Sequence, residues 1–261
     1  MEEICADLRA ETVDLVALCA TLGPEGWHTP TPAAGWDVFD QVNHLAQADH
    51  CALLAARDPD AFEALKPELL SGRRSLERAA DADVDAMDGA ALLAWFSDLR
   101  ASMIAAFEEL APRDRIPWFG PSMGARSFAT ARLMETWAHG QDVADALGAV
   151  RTPTSRLRHV AHIGVTTRGW SYANRGRQVP AGDVRVELAG PDGDTWTWGP
   201  DDAADRVVGD ALDFCLVVTQ RRNVTDTGLT TTGDAATEWM TIAQAFAGPP
   251  TDHRAPGAVA G

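Results

Sequence analysis

Glu135 and His139 stand four residues apart in the run Glu135-Thr136-Trp137-Ala138-His139-Gly140-Gln141-Asp142. On a helix this spacing puts both side chains on one face, one turn apart, with Asp142 following three residues later. Phe128, Ala131 and Ala146 share that face, which marks it as inward. A carboxylate and an imidazole on a buried face must be neutralised. A divalent metal does this directly, because imidazole nitrogen and carboxylate oxygen are ordinary zinc ligands. A third ligand must then come from another helix. His44 is the best candidate, since it lies on the small-residue stripe His44, Ala48, Cys51, Ala55. Three N/O ligands with an open coordination position is the pattern of a catalytic site, whereas closed structural zinc sites are four-ligand and often cysteine-rich. Asp142 suits a fourth ligand or, preferably, an acceptor for an imidazole N–H that fixes the tautomer. The same residues also admit a plainer reading, a satisfied core histidine and an i,i+4 ion pair, and E-x-x-x-H is too short a pattern to decide.

The elements that must position these residues are helical. Ile4, Leu8, Leu15, Cys19 and Leu22 recur at helical spacing over residues 2–22. A breaker stretch from Gly23-Pro24 to Pro32 follows. A second helix is expected from about Asp37 to Arg57, with Val38, Val42, Leu45 and Leu53 on its apolar face. Residues 58–87 are charged and poorly periodic, suiting one short helix and loops. Leu92, Phe96, Leu99, Met103, Phe107 and Leu110 define a third helix, and residues 126–147 a fourth that stops at Gly148. Four long helices with connections of mixed length predict an antiparallel bundle.

The pattern changes after residue 150. Residues 154–173 read as a linking helix. Val184–Leu188 and Thr195–Trp198 flank the turn Pro191-Asp192-Gly193-Asp194 as a hairpin. Ala203–Gln220 and Asp234–Phe246 read as helices, and the tail after Pro249-Pro250 as loose. The expected architecture is α+β and multidomain: a four-helix bundle over 1–150, then a smaller α+β domain with a disordered-leaning tail over 151–261.

Composition narrows the function classes. The 261 residues carry 22 Lys+Arg against 38 Asp+Glu, a formal net charge of -16. Such a chain repels the phosphates of nucleic acids and anionic membranes, so neither is an expected partner. No stretch offers the roughly 18 uninterrupted apolar residues of a membrane span, and the acidic start Met1-Glu2-Glu3 is unlike a signal peptide. Cys5, Cys19, Cys51 and Cys215 have no C-x-x-C spacing and sit among apolar neighbours. They read as buried free thiols in a reducing cytoplasm.

The stretch Thr31–Ala46, in which Gly35-Trp36 opens a helix and His44-Leu45-Ala46 follows, resembles the N-terminal signature of the mycothiol-dependent maleylpyruvate isomerase family, among the DinB-like metal-binding four-helix bundles. The family's second signature resembles Glu135, His139, Asp142 and Ala146-Leu147-Gly148, about 90 residues further on. The resemblance covers roughly residues 1–150. It implies a divalent metal, zinc before others, on His44, Glu135 and His139, and mycothiol as thiol cofactor or co-substrate. The segment from Phe214 to Trp239 resembles the family's smaller domain, in a subgroup known only as metal-binding. There the resemblance implies an arginine serving substrate or thiol, with Arg222 the best match and Arg221 close behind. An arginine pairing at a helix end is the alternative reading.

Other residues carry plainer expectations. Trp36 and Trp137 are read as packing residues, and His159 and His162 as a solvent-facing and a packing histidine. His50 projects away from His44. Arg168, Arg175 and Arg177 are read as a solvated face rather than a carboxylate-binding group. The expected function is a cytoplasmic, thiol-dependent isomerase or S-transferase acting on a small electrophile, as a monomer or homodimer. A metal-activated-water hydrolase and a non-catalytic binding module are the alternatives. Arg222 and Asp142 are the expected catalytic residues, and Arg222 also the contact to the thiol cofactor.

Overall fold

In the computed structural model, residues 1–258 are described. The chain divides into two compact units, Met1–Val150 and Arg151–Gly261.

The first unit contains α1 (Glu2–Cys19), α2 (Pro24–Trp27), α3 (Val38–Arg57), α4 (Pro59–Leu70), α5 (Gly89–Glu108), the small strands β1 (Arg115–Ile116) and β2 (Met123–Gly124), and α6 (Ala125–Leu147). The start of α3 is fixed locally. Asp37 accepts from the Asp40 backbone N–H while the Asp40 carboxylate accepts from that of Asp37, a reciprocal capping box. The end of α6 is equally local. Gly148 adopts the left-handed conformation, φ 62°, that terminates a helix at little cost to glycine.

The four long helices contact one another in a ring: α3 touches α5 and α6, and α1 touches α5 and α6. Leu15 and Cys19 late in α1, Val38 and Val42 early in α3, Phe96 early in α5 and Val143 late in α6 share one core. At the other end Glu3 of α1 accepts from Arg126 of α6, and Arg9 of α1 donates to Glu108 of α5. Neighbours therefore run antiparallel at α1–α5 and α3–α6, as the helix count suggests, and parallel at α3–α5 and α1–α6. The parallel pairs arise because the chain between α3 and α5, which holds α4 and two 3-10 turns at Leu76–Arg78 and Val84–Ala86, returns to the end where α3 began. By length and composition α5 is apolar enough to cross a membrane, the one such helix among the described residues. Its Leu92, Phe96, Met103 and Phe107 are instead buried in the core of this unit.

The second unit contains α7 (Leu157–Thr166), α8 (Arg168–Ala173), β3 (Val184–Ala189), β4 (Thr195–Trp198), β5 (Asp205–Asp210), α9 (Ala211–Val218), β6 (Thr230–Thr232) and α10 (Asp234–Ile242). The sheet order is β4-β3-β5-β6. The predicted hairpin is β3–β4, antiparallel, with Leu188 opposite Trp196. Val186, Leu188 and Val207 turn inward, where Phe214 and Trp239 meet edge to face at 5.9 Å. Gly164 lets α7 approach α9, since a Cβ there would lie 2.7 Å from Val218.

Three local expectations differ from this architecture. Ala203–Gln220 is not one helix: Asp205–Asp210 is a strand pairing parallel with β3 and antiparallel with β6, and only Ala211–Val218 is helical. The doublet Val207-Val208 is too short to advertise a strand beside the apolar run Phe214–Val218. The linking helix breaks at Thr167, whose hydroxyl bonds back to the Ile163 carbonyl at 2.7 Å. The last helix ends at Ile242, because Gln244 N donates to Ser171 and Ala245 N to the Val218 carbonyl. The segment after Pro250 is tied down in its described part. Thr251 donates to Gln220 at 2.7 Å and its N–H bonds Gln244, while His253 meets the Ala243 carbonyl. The end of the expected loose tail, residues 259–261, lies outside the described residues.

Candidate metal centre

His44 sits in the second turn of α3, and Glu135 and His139 lie on consecutive turns of α6. The antiparallel α3–α6 pairing brings them together. One ligand atom from each of the three lies within 4.8 Å of the others, and among the described residues this is the one such group. His139 Nε2 stands 3.3 Å from Glu135 Oε2.

The imidazoles are oriented from behind. His139 Nδ1 meets Gln41 Oε1 at 2.6 Å, so Nδ1 carries a proton and Nε2 is the nitrogen turned towards Glu135. The Gln41 amide in turn donates to Thr31 Oγ1 at 2.8 Å, and Thr31 donates to the Trp36 carbonyl. The Trp36 ring covers both imidazoles, 5.1 Å from His44 and 5.9 Å and nearly parallel to His139. Its position beside the ligand group goes beyond the packing role expected of it. His44 Nδ1 is buried without a hydrogen-bond partner and lies 3.7 Å from Glu77 Oε1. The His44 imidazole beside Glu77, aided by Ser75, holds that carboxyl down at about 2. Burial works to raise the Glu135 carboxyl, but His139, Arg132 and His44 outweigh it and hold the group at about 2.

Behind the group lies a buried charge network. Asp49 of α3 accepts from Arg100 of α5 at 2.6 Å and from Arg132 of α6 at 3.2 Å. Arg100 also donates to Thr12 of α1 and Thr136 of α6, so all four long helices are joined through it. Thr136 follows Glu135 directly, so the network fixes α6 at the turn that carries the carboxylate.

The three residues fit a divalent ion. Two neutral imidazoles and one carboxylate are an ordinary zinc donor set, and ligands about 2.1 Å from a tetrahedral ion stand about 3.4 Å apart. The Glu135–His139 separation of 3.3 Å is close to that value.

The remaining candidates fall as follows. Asp142 is fully buried on α6, one turn past His139, and outside the group of three. Gln41, not Asp142, occupies the His139 Nδ1 position. Arg222 belongs to the second unit, in the turn after α9. Its backbone N–H bonds the Leu216 carbonyl and its guanidinium the Arg221 carbonyl, while Arg221 donates to Thr219 O. His50 is half-buried and outside the group of three, and Trp137 is buried. His162 is exposed and accepts from Trp198, and His159 is half-buried. Arg168, Arg175 and Arg177 bond the Gly182 and Pro180 carbonyls, the Thr251 carbonyl and Glu238 within their own unit. All four cysteines are free and buried.

Gln41, Glu77 and the Asp49–Arg100–Arg132 network were missed by sequence reasoning. A signal existed for some of them: Gln41, Asn43, Gln47 and Asp49 are polar residues on the largely apolar or small inner side of α3. Glu77 had none, being one carboxylate in a charged, aperiodic segment.

The first unit is helical and brings together three residues that could hold a metal ion, and the second carries a small sheet. The description mycothiol maleylpyruvate isomerase N-terminal domain matches residues 8–144, and the chain belongs to that family. A second description, wyosine base formation, matches residues 180–232. Two uncharacterized proteins from strains of Mycobacterium tuberculosis are each 48% identical over 248 residues, covering 94% of this chain and 95% of theirs. The fold is similar to crystal structures of the mycothiol-dependent maleylpyruvate isomerase and of a mutant of it. Both match with a TM-score of 0.54 and 16% identity, over 88% of this chain and 92% of theirs.

Proposed function

We propose that the chain is a metal-dependent enzyme using a low-molecular-weight thiol, mycothiol, as cofactor or co-substrate, and acting as an isomerase or S-transferase on a small electrophilic molecule. The observation that carries the reading is the convergence of His44, Glu135 and His139, with the His139 tautomer set by Gln41. When bound there, a divalent cation, zinc by the donor set, supplies the Lewis acidity that favours the ionised form of a thiol at neutral pH.

The chain's own residues supply the rest. Gln41 holds the His139 proton on Nδ1, Glu135 remains ionised, and Trp36 shields one side of the imidazoles. The protein's own thiols are unsuited to the chemistry. Burial pushes Cys19 and Cys51 up to about 12 and raises Cys5 and Cys215 as well. On this reading the reactive sulfur belongs to the external thiol. On the family resemblance, Arg222 is assigned to the substrate or thiol, and Asp142 is kept as a catalytic residue that supports the imidazoles as a hydrogen-bond acceptor. A cytoplasmic location and a monomer or homodimer belong to the same reading.

Elemental analysis of protein purified without chelator or metal-affinity tag tests it. Stoichiometric metal is expected in the wild type and none in His44→Ala or His139→Ala, with the helical circular dichroism kept. Zinc retained in both variants would sink the proposal. Mycothiol is expected to raise the melting temperature only of the metal-loaded form. Turnover without any thiol would favour hydrolysis instead.

A further inference from the structure

The two imidazoles are held from behind by different means. His139 Nδ1 has its acceptor in Gln41, from α3. His44 Nδ1 has no hydrogen-bond partner, yet the Glu77 carboxylate stands 3.7 Å away. Glu77 belongs to neither ligand helix. It sits in the 3-10 turn Leu76–Arg78 of the chain between α4 and α5.

That turn is fastened to α3 by two buried amides. Asn43 Nδ2 donates to the Glu77 carbonyl at 3.3 Å, and Gln47 Oε1 accepts from Ala80 N at 2.7 Å. Gln47 Nε2 also donates to Asn43 Oδ1, linking the two amides at 3.3 Å. Both are buried on α3, where an unsatisfied amide would be costly, so the attachment is specific. Ser75 Oγ bonds the other Glu77 oxygen and fixes the carboxylate from the solvent side. The consequence of this scaffold is a carboxylate placed beside His44 Nδ1, which is buried without a hydrogen-bond partner.

We infer that Glu77 is a positioning residue of the metal site: its carboxylate accepts the His44 Nδ1 proton, leaving His44 Nε2 for the ion, as Gln41 does for His139. This rests on the metal reading above. Imidazole ligands as a rule donate their second N–H to such a partner, and losing it costs about 10–100-fold in metal affinity. The second consequence concerns the crossover. Contraction of the 3.7 Å gap when His44 is drawn to the ion ties residues 71–88 to metal occupancy.

The test uses the full chain with zinc and cobalt as probes. Zinc affinity, by chelator competition, is expected to fall about 10–100-fold in Glu77→Ala. Glu77→Gln keeps an acceptor oxygen and is expected to lie nearer the wild type than Glu77→Ala. The visible cobalt spectrum is expected to keep its intensity in both, because Glu77 is not a ligand. Amide exchange in residues 71–88 is expected to slow on zinc loading of the wild type but not of Glu77→Ala. An unchanged melting temperature of metal-free Glu77→Gln shows that folding is intact. Zinc affinity of Glu77→Ala within threefold of wild type overturns the assignment, as does Glu77→Gln no better than Glu77→Ala. A changed cobalt spectrum makes Glu77 a ligand and overturns it too. A wild type that binds neither metal overturns the metal reading itself, and this assignment with it.

Discussion

Replacing Asp49 by alanine removes the carboxylate that bonds both Arg100 and Arg132, at a fully buried position. Asp49 is fully buried, Arg100 is 1% exposed and Arg132 is 4% exposed. Both guanidiniums bond it, at 2.6 and 3.2 Å. Burial already presses the Arg100 pKa downward, and Asp49 is the main opposing influence. Removing one partner of a buried ion pair costs about 3–5 kcal/mol, because the remaining charge loses its compensation. Two like charges are left facing each other, so about 4 kcal/mol is expected for Asp49→Ala. Domains are commonly stable by only about 5–15 kcal/mol, so the variant should be marginal or unfolded. Asp49→Asn keeps an acceptor and removes the charge, so a smaller loss, about 2 kcal/mol, is expected. In urea, with a denaturant slope of about 2 kcal/mol/M, about 4 kcal/mol moves the midpoint by about 2 M. The assay is far-ultraviolet circular dichroism through a urea titration of metal-free protein, scored on the helical transition. A loss below about 1 kcal/mol for Asp49→Ala would refute the reasoning, since it would mean the network is wet or dispensable.

Two further outcomes follow from the shifted groups. Glu135 is held at about 2 from an ordinary 4.5, so the stability its ionised form contributes is present above 4.5 and fades as pH falls towards 2. The melting temperature of the metal-free wild type should therefore fall through that window more steeply than that of Glu135→Gln, and parallel curves would contradict the assignment. The four buried cysteines should react with a thiol-specific disulfide reagent only after denaturant is added. A fast-reacting thiol in the native protein would contradict their burial and reopen the question of a protein-derived nucleophile.

The chemistry-bearing residues of the helical unit were legible because their spacing is a local property. Glu135 and His139 are one turn apart whatever the fold, and the inward stripe of α3 singles out His44. The helices themselves were legible for the same reason, down to a start near Asp37 and a stop at Gly148. The strand β5 was not, because its identity comes from pairing with β3 and β6 rather than from its own short apolar doublet. Gln41 at His139 Nδ1 was not legible either, because only the pairing of α3 with α6 decides which side chain faces that nitrogen.

Periodicity, capping residues and charge are written in neighbouring residues, so the sequence by itself determined the helices of the first unit, the hairpin of the second and a carboxylate–imidazole pair on one helix face. Contacts between residues far apart in the chain depend on how helices align, which no local pattern encodes. Tertiary structure alone decided that α3 and α6 run antiparallel and so bring His44 to Glu135 and His139. It alone decided that Asp49 joins Arg100 and Arg132 across three helices, and that Glu77 returns from the crossover to face His44. The physical reason is burial: charges and amides withdrawn from water must find partners within the fold, and many of those partners are far away in the chain, as far as 98 residues for Gln41 and His139.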